Sequence, residues 1–310
     1  MSFLSLIAAL LVEHFYPLNS RLQIYHLFTR YTNFLELQFN AEQHKHGMIA
    51  WILAALPPVI IVTVIYFLLF SISPFLAWAW NAVVLYATMG FKYFSNINAA
   101  IAEALKNNDV EQARSQLAKW TGKDAGELSE GEIARLCIEQ VFICSHRQIF
   151  GAIAWFVVLS PLGPMGAVLY RITSILVRKW GDMSVNDLGE FGKFATRIFD
   201  WMDWVPSRLT AISFAIVGDF EDAVYCWRSQ AALWMHKTQG ILLASGAGAL
   251  GVKLGDPIHQ NGELVFRPEL GVGEDADFDY MHSAVSLVWR TLVLWLVVLL
   301  LLHLAKLMGN

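Results

Sequence analysis

From Met48 to Ile72 the chain runs "MIAWILAALPPVIIVTVIYFLLFSI" without a charged residue. In hydrocarbon every backbone N–H and C=O must be paired internally, so a run this long and apolar is a membrane helix. Pro57-Pro58 inside it removes two backbone donors and predicts a kink or break. "SISP", Ser71 to Pro74, reads as a short uncharged turn, and Phe75 to Phe94 as a return pass. Ala284 to His303 forms another span, with Trp289 and Trp295 as interfacial anchors and Arg290 close enough to the end to snorkel. The opening segment "MSFLSLIAALLVEHFYP" has neither a basic start nor a small-x-small cleavage site, so a retained membrane-inserting helix is expected, with Glu13 and His14 at the interface. Gln148 to Val177 is interrupted by Pro161-Leu-Gly-Pro164, and each half is short for a crossing. A re-entrant hairpin or a single broken span would both fit.

Composition agrees with a polytopic membrane protein: of 310 residues, 56% are hydrophobic and only 15% charged. A net charge of −4 without any basic block gives no footprint for nucleic acid. Cys137, Cys144 and Cys226 lack CxxC spacing, which argues against a structural metal or a disulfide framework. Arg21, Arg30 and Lys45 precede the first long span and Lys92 follows the second, so the positive-inside rule puts Arg21 to Gly47 and the segment after Lys92 in the cytoplasm.

Between the spans, Ile101 to Trp120 and Ser129 to Arg147 read as surface helices, the second opening on the capping box Ser129-x-x-Glu132. Gly192 to Val217 is amphipathic and Trp-rich, a helix follows around Glu221 to Trp234, and residues 245–282 read as loop. "GAGALG", Gly246 to Gly251, fits the dinucleotide fingerprint in letters, but Gly255 and Pro257 stop the helix that motif needs, so a tight glycine turn is expected. Asp275, Asp277 and Asp279 begin like a calcium loop, yet Tyr280 and Ser286 stand at its glycine and glutamate positions, leaving a solvated acidic loop or, as the alternative, a weak magnesium–phosphate site. His44 and His46 have no third metal ligand in view. On the Ser129 helix, Glu139, Ile143 and Arg147 share a face: Glu139 could act as base or magnesium ligand and Arg147 could clamp phosphate. The structural alternative has Glu139 facing water or pairing with Arg135, and Arg147 anchoring at the interface.

Four stretches carry a family resemblance: "NNDVEQARSQLAKWTGKDAGELSEGEIARLCIEQV" (107–141), Tyr170-Arg171, "DWMDWVPSRLTA" (200–211) and "GALGVKLG" (248–255). On these the chain, from about Gly90 to Gly255, resembles the CobD/CbiB family of adenosylcobinamide-phosphate synthases and their relative AmpE. The resemblance implies ATP-dependent amide formation between adenosylcobyric acid and aminopropanol or its phosphate, with magnesium and ATP required. It also implies a single all-α membrane domain over 1–310, with about four or five embedded segments (about 3–16, 48–72, 75–94, 148–177 and 284–303) and cytoplasmic helical parts at about 95–147 and 178–282. Laid without gaps on the synthases' E-x-x-x-E-N-x-x-D motif, this chain places Glu139, Ile143, Cys144 and Arg147, so one acid of three remains. The N-T-L-D run after Tyr170-Arg171 is Ser174 to Val177 here, and the S-P-N and G-D-P motifs are missing.

From these departures the reading expects the fold without the ligation chemistry: an AmpE-like bacterial inner-membrane modulator of cell-wall recycling or β-lactamase induction, leaning away from an enzyme. An active cobinamide-phosphate synthase is the alternative, and magnesium and ATP belong to it alone. Glu139, Asp200 and Asp203 are the candidate catalytic remnants. Arg147, Tyr170, Arg171, Trp204, Arg208, Gly246, Gly248, Gly251 and Lys253 are the candidate ligand-binding residues, with no metal site. The expected partners are the lipid bilayer, a corrinoid or other anionic small molecule, and a membrane or cytoplasmic protein, with the main loops cytoplasmic.

Overall fold

The apolar periodicity resolves into thirteen α-helices and four short strands among the described residues of a computed structural model. The structure describes residues 2–16, 21–39, 44–181, 191–260 and 262–308. The side chains of Arg21, His44 and Lys45, on which topology and a metal pair were argued, lie outside the described residues. In chain order the helices are α1 (Ser2–Phe15), α2 (Arg21–Phe39), α3 (His44–Ile72), α4 (Pro74–Thr88), α5 (Phe91–Lys106), α6 (Val110–Thr121), α7 (Glu130–Ser145), α8 (Gly151–Val158), α9 (Met165–Trp180), α10 (Lys193–Val217), α11 (Phe220–Gln230) and α12 (Lys237–Leu250). Strands β1 (Val252–Lys253), β2 (Ile258–Gln260), β3 (Glu263–Val265) and β4 (Glu274–Asp275) precede α13 (Phe278–Met308). The chain divides into two compact units, residues 1–90 with 147–204, and residues 91–146 with 205–310.

In the first unit the Pro57-Pro58 pair does not end α3, which runs unbroken from His44 to Ile72. Pro57 cannot donate to the carbonyl of Leu53 four residues back, and the Tyr31 hydroxyl donates to it instead at 2.9 Å. Pro206 in α10 leaves the Met202 carbonyl in the same position, and the Trp155 indole N–H donates to it at 3.0 Å. Trp155→Phe is therefore expected to cost about 1–3 kcal/mol, the penalty of a buried carbonyl left unpaired, read as a lower Tm in detergent. Ala50, Ala54 and Ala55 give α3 a face small enough for close approach, and they join Val168, Ile172, Leu176 and Trp180 of α9 in the core. Ser73 caps α4, its hydroxyl accepting from the Phe75 N–H, with Pro74 in the first turn where no donor is needed. Between α8 and α9 the Pro161-Leu-Gly-Pro164 interruption reverses the chain, so these helices pack as an antiparallel hairpin rather than one broken span.

In the second unit the expected single helix from Ile101 to Trp120 is two. The chain breaks after Lys106, Asn108 takes a left-handed conformation, and the Asp109 carboxylate caps α6 through the Gln112 N–H. The capping box at Ser129 and Glu132 forms as expected at the start of α7. The expected surface helix does not stop at Arg147, however. A single π turn, His146–Phe150, joins α7 to α8, and Glu130–Val158 is, among the described residues, one of three helices long and apolar enough to cross a membrane, with His46–Ile72 and Phe278–Lys306. α13 begins at Phe278, earlier than the apolar run suggests, because the Asp277 carboxylate accepts from the N–H groups of Asp279 and Tyr280 and caps it. The alternating aspartates thus start a helix. Part of the expected loop before them is ordered: β1 pairs in parallel with β4, and β2 with β3 antiparallel.

Candidate functional site

The candidate residues fall into two groups, one in each unit. In the first unit, Tyr170 of α9 and Asp203 of α10 are both buried, and the phenol donates to the carboxylate at 2.7 Å. A carboxylate away from water is tolerable only where its oxygens are served, and here a neutral hydroxyl serves one of them. Phe199, one turn before Asp203, packs on Tyr170 with ring centroids 5.7 Å apart. The Arg147 guanidinium lies over the Phe199 ring at 5.2 Å, a cation–π contact that holds a half-buried cation without spending its N–H donors on the ring. Arg147 sits in the π turn, a distortion often found at functional sites because it re-aims side chains. Arg147, Tyr170 and Asp203, three of the candidate residues, are thus brought close together within this unit. Arg171 is half-buried on α9, while Asp200 and Trp204 are exposed on α10. The cluster offers a buried acid, a phenol and a guanidinium, groups able to move a proton and to hold an anion.

In the second unit Glu139 is buried, and neither reading of it as water-facing or as the partner of Arg135 holds. Its Oε1 accepts from the Gly255 N–H at 3.0 Å and its Oε2 from Arg267 at 2.7 Å. Arg267 also donates to the carbonyls of Gly255 at 2.7 Å and Asp256 at 3.1 Å, and its guanidinium lies 5.6 Å from the Trp234 ring. Arg135 pairs with Asp256 at 2.5 Å, and Glu132 accepts from both the N–H and the ring of His259. Residues 132, 135 and 139, at i, i+3 and i+7, form one face of α7 that clamps the segment following α12. Gly255 sits at φ +73°, where a Cβ would lie 2.0 Å from the Pro268 carbonyl oxygen, so this corner needs glycine. Nothing in local periodicity announces Arg267, because its partner lies 128 residues away.

The glycine motif is not a turn, which corrects the expectation. Gly246 and Gly248 lie inside α12, where a Cβ would meet the Phe142 ring at 2.7 Å and the Asp222 carbonyl oxygen at 2.5 Å. They are smallness for helix packing, and their N–H groups belong to the helix ladder. Gly251 is left-handed and ends α12. Lys253 follows in β1, half-buried, and Arg208 is half-buried on α10. A resident magnesium does not fit: among the described residues no group of three or more His, Cys, Asp or Glu could hold a metal, and both oxygens of Glu139 are already engaged. All three cysteines are free thiols.

Long apolar helices, buried polar clusters and a minimal strand content define an all-α integral membrane protein. The family model described as CobD/Cbib protein matches residues 6–288. A relative in Stutzerimonas stutzeri, named cobalamin biosynthesis protein CobD, is 36% identical over 302 residues, covering 96% of this chain and 97% of its own length. A protein of the same name in Chromobacterium violaceum is 35% identical over 212 residues, covering 68% of this chain and 67% of its own. No solved structure matches. The chain belongs to the CobD/CbiB family.

This overturns the expectation of a non-enzymatic AmpE-like modulator. The relatives carry a cobalamin-biosynthesis name, and the likeness runs through nearly the whole chain. The expectation had set the departures from four short motifs, the helix motif laid in a gapless register among them, against that length. The motif's surviving acid is also a poor witness, since Glu139 is the buried partner of Arg267.

Proposed function

We propose that the protein is an adenosylcobinamide-phosphate synthase of cobalamin biosynthesis, forming the amide between adenosylcobyric acid and aminopropanol or its phosphate at the expense of ATP. The observation that carries this reading is the 36% identity to the Stutzerimonas protein across 96% of the chain. Amide formation of this kind activates a carboxylate by phosphoryl transfer and then needs a neutral amine to attack it. Cations must meet the negative charge of phosphate, and a base must take the proton the amine loses. In the first unit Arg147 and Arg171 are the cationic groups for an anionic substrate, and Asp203, held by Tyr170, is the candidate proton acceptor. In the second unit Arg208 and Lys253 remain candidate anion contacts. Magnesium would accompany the nucleotide, and no step is assigned to a protein-bound metal. The enzyme is read as a bacterial inner-membrane protein with its main loops in the cytoplasm, where ATP is available.

The test is complementation of a cobalamin auxotroph that lacks the synthase. Growth is expected to return with the wild-type chain and to be lost with Asp203→Asn at equal protein level in the membrane. A membrane-inserted wild-type chain that leaves the strain auxotrophic would contradict the proposal.

A further inference from the structure

The face that α10 turns outward is not that of a cytoplasmic helix. Its exposed positions begin with Lys193, Arg197 and Asp200, pass through Trp201 and Trp204, and continue with Val205, Leu209, Ile212 and Ile216. Charge gives way to indole and indole to aliphatic surface, the order a helix shows where it passes from water through headgroups into hydrocarbon. Trp201 is 73% exposed and Ile216 is 55% exposed, so the chain itself covers neither. The stretch from Trp204 to Ile216 rises about 18 Å, more than one leaflet's roughly 15 Å of hydrocarbon.

Within the second unit this face is continuous with that of a membrane helix. The Trp295 indole of α13 donates to the Ser213 hydroxyl at 2.9 Å, and Arg290 donates to the Val217 carbonyl at 3.0 Å. These two contacts make residues 205–217 antiparallel to α13. Counting along the pair, Val205 comes level with about His303, where the uncharged run of α13 ends. Val217 comes level with Arg290, where that run begins. α13 leaves Val293, Val297 and Val298 exposed across the same interval. On the inward side of α10 the Thr210 and Ser213 hydroxyls donate to the carbonyls of Pro206 and Leu209 four residues back, as hydroxyls do where water is absent. Arg208, half-buried at the upper edge of the band, has the stem length to carry its charge back toward the headgroups.

We infer that residues 205–217 of α10 are embedded in the bilayer, with Val205, Leu209, Ile212 and Ile216 against lipid acyl chains and Trp201 and Trp204 at the headgroup level. The helix expected to be cytoplasmic is a further membrane element, shorter than a full span and paired with α13. The inference does not depend on the reaction proposed above.

Spin labels on single cysteines in liposome-reconstituted protein test it. Arg197→Cys, Leu209→Cys, Ile212→Cys and Ile216→Cys would be built on a Cys144→Ala background. Cys137 and Cys226 stay: both are buried, and burial with the nearby Asp222 carboxylate pushes the Cys226 thiol up to about 11. Oxygen accessibility should exceed that of a water-soluble nickel chelate at 209, 212 and 216, and the order should invert at 197. A higher nickel accessibility at 209 and 216 would overturn the inference by placing the face in water. Low accessibility to both reagents would overturn it too, by placing another protein surface there.

Discussion

Arg267→Ala is expected to destabilise the protein by about 3–5 kcal/mol, the cost of leaving one member of a buried ion pair uncompensated. Glu139 is 5% exposed at its side chain and Arg267 is 15% exposed, so water can replace little of what the guanidinium supplies. The substitution also strips donors from the Gly255 and Asp256 carbonyls, and three contacts fail together. Thermal unfolding in detergent should show the loss, with proteolysis appearing first between residues 251 and 275. Arg267→Lys should rescue little, because an ammonium on a flexible stem cannot serve Glu139 and two carbonyls at once. Glu139→Gln combined with Arg267→Ala should recover part of the loss by removing the orphaned charge. A loss below about 1 kcal/mol for Arg267→Ala would show that the pair behaves as a solvated surface bridge.

Gly166→Val is the second large effect. A Cβ at Gly166 would stand 2.0 Å from the Trp155 carbonyl oxygen and 2.6 Å from its carbon, both backbone atoms that cannot swing aside. The hairpin of α8 and α9 would have to open, so the cost should exceed the roughly 1–3 kcal/mol of ordinary overpacking. Because α9 carries Tyr170, opening the hairpin should also weaken the Tyr170–Asp203 hydrogen bond. The expected result is loss of the protein from the membrane fraction, or retention with a strongly lowered Tm. Gly126→Ala is the control: it is exposed, its nearest contact is the Asp124 side chain at 3.6 Å, and the change should stay within about 0.5 kcal/mol.

Much of the frame was legible in the residues because apolar length and helical spacing are local properties. The apolar runs of α3 and α13, the Ser129 capping box and the interruption at Pro161-Leu-Gly-Pro164 all follow from neighbours along the chain, whereas the choice between a hairpin and a broken span at that interruption does not. Pro57-Pro58 does not break α3, because a carbonyl that loses its own donor can find one on another helix, here Tyr31. The glycines of "GAGALG" misled because smallness for packing and freedom for a turn are written with the same residue. Arg147 was singled out from its helix face and Tyr170 and Asp203 through a family resemblance, whereas their mutual arrangement was not legible: 33 residues separate the hydrogen-bonded pair. The partners of Glu139 were not legible either. Its carboxylate is engaged at both oxygens by Arg267 and the Gly255 corner, groups more than a hundred residues away along the chain.

The proposed synthase reaction can be followed directly in vitro. Membranes containing the protein, supplied with adenosylcobyric acid, magnesium, ATP and aminopropanol or its phosphate, test it most directly when the corrinoid product is followed by mass spectrometry. The expected result is an ATP-dependent amide product that disappears with Asp203→Asn. Folded wild-type protein in those membranes that consumes no ATP and leaves the cobyric acid unchanged would contradict it.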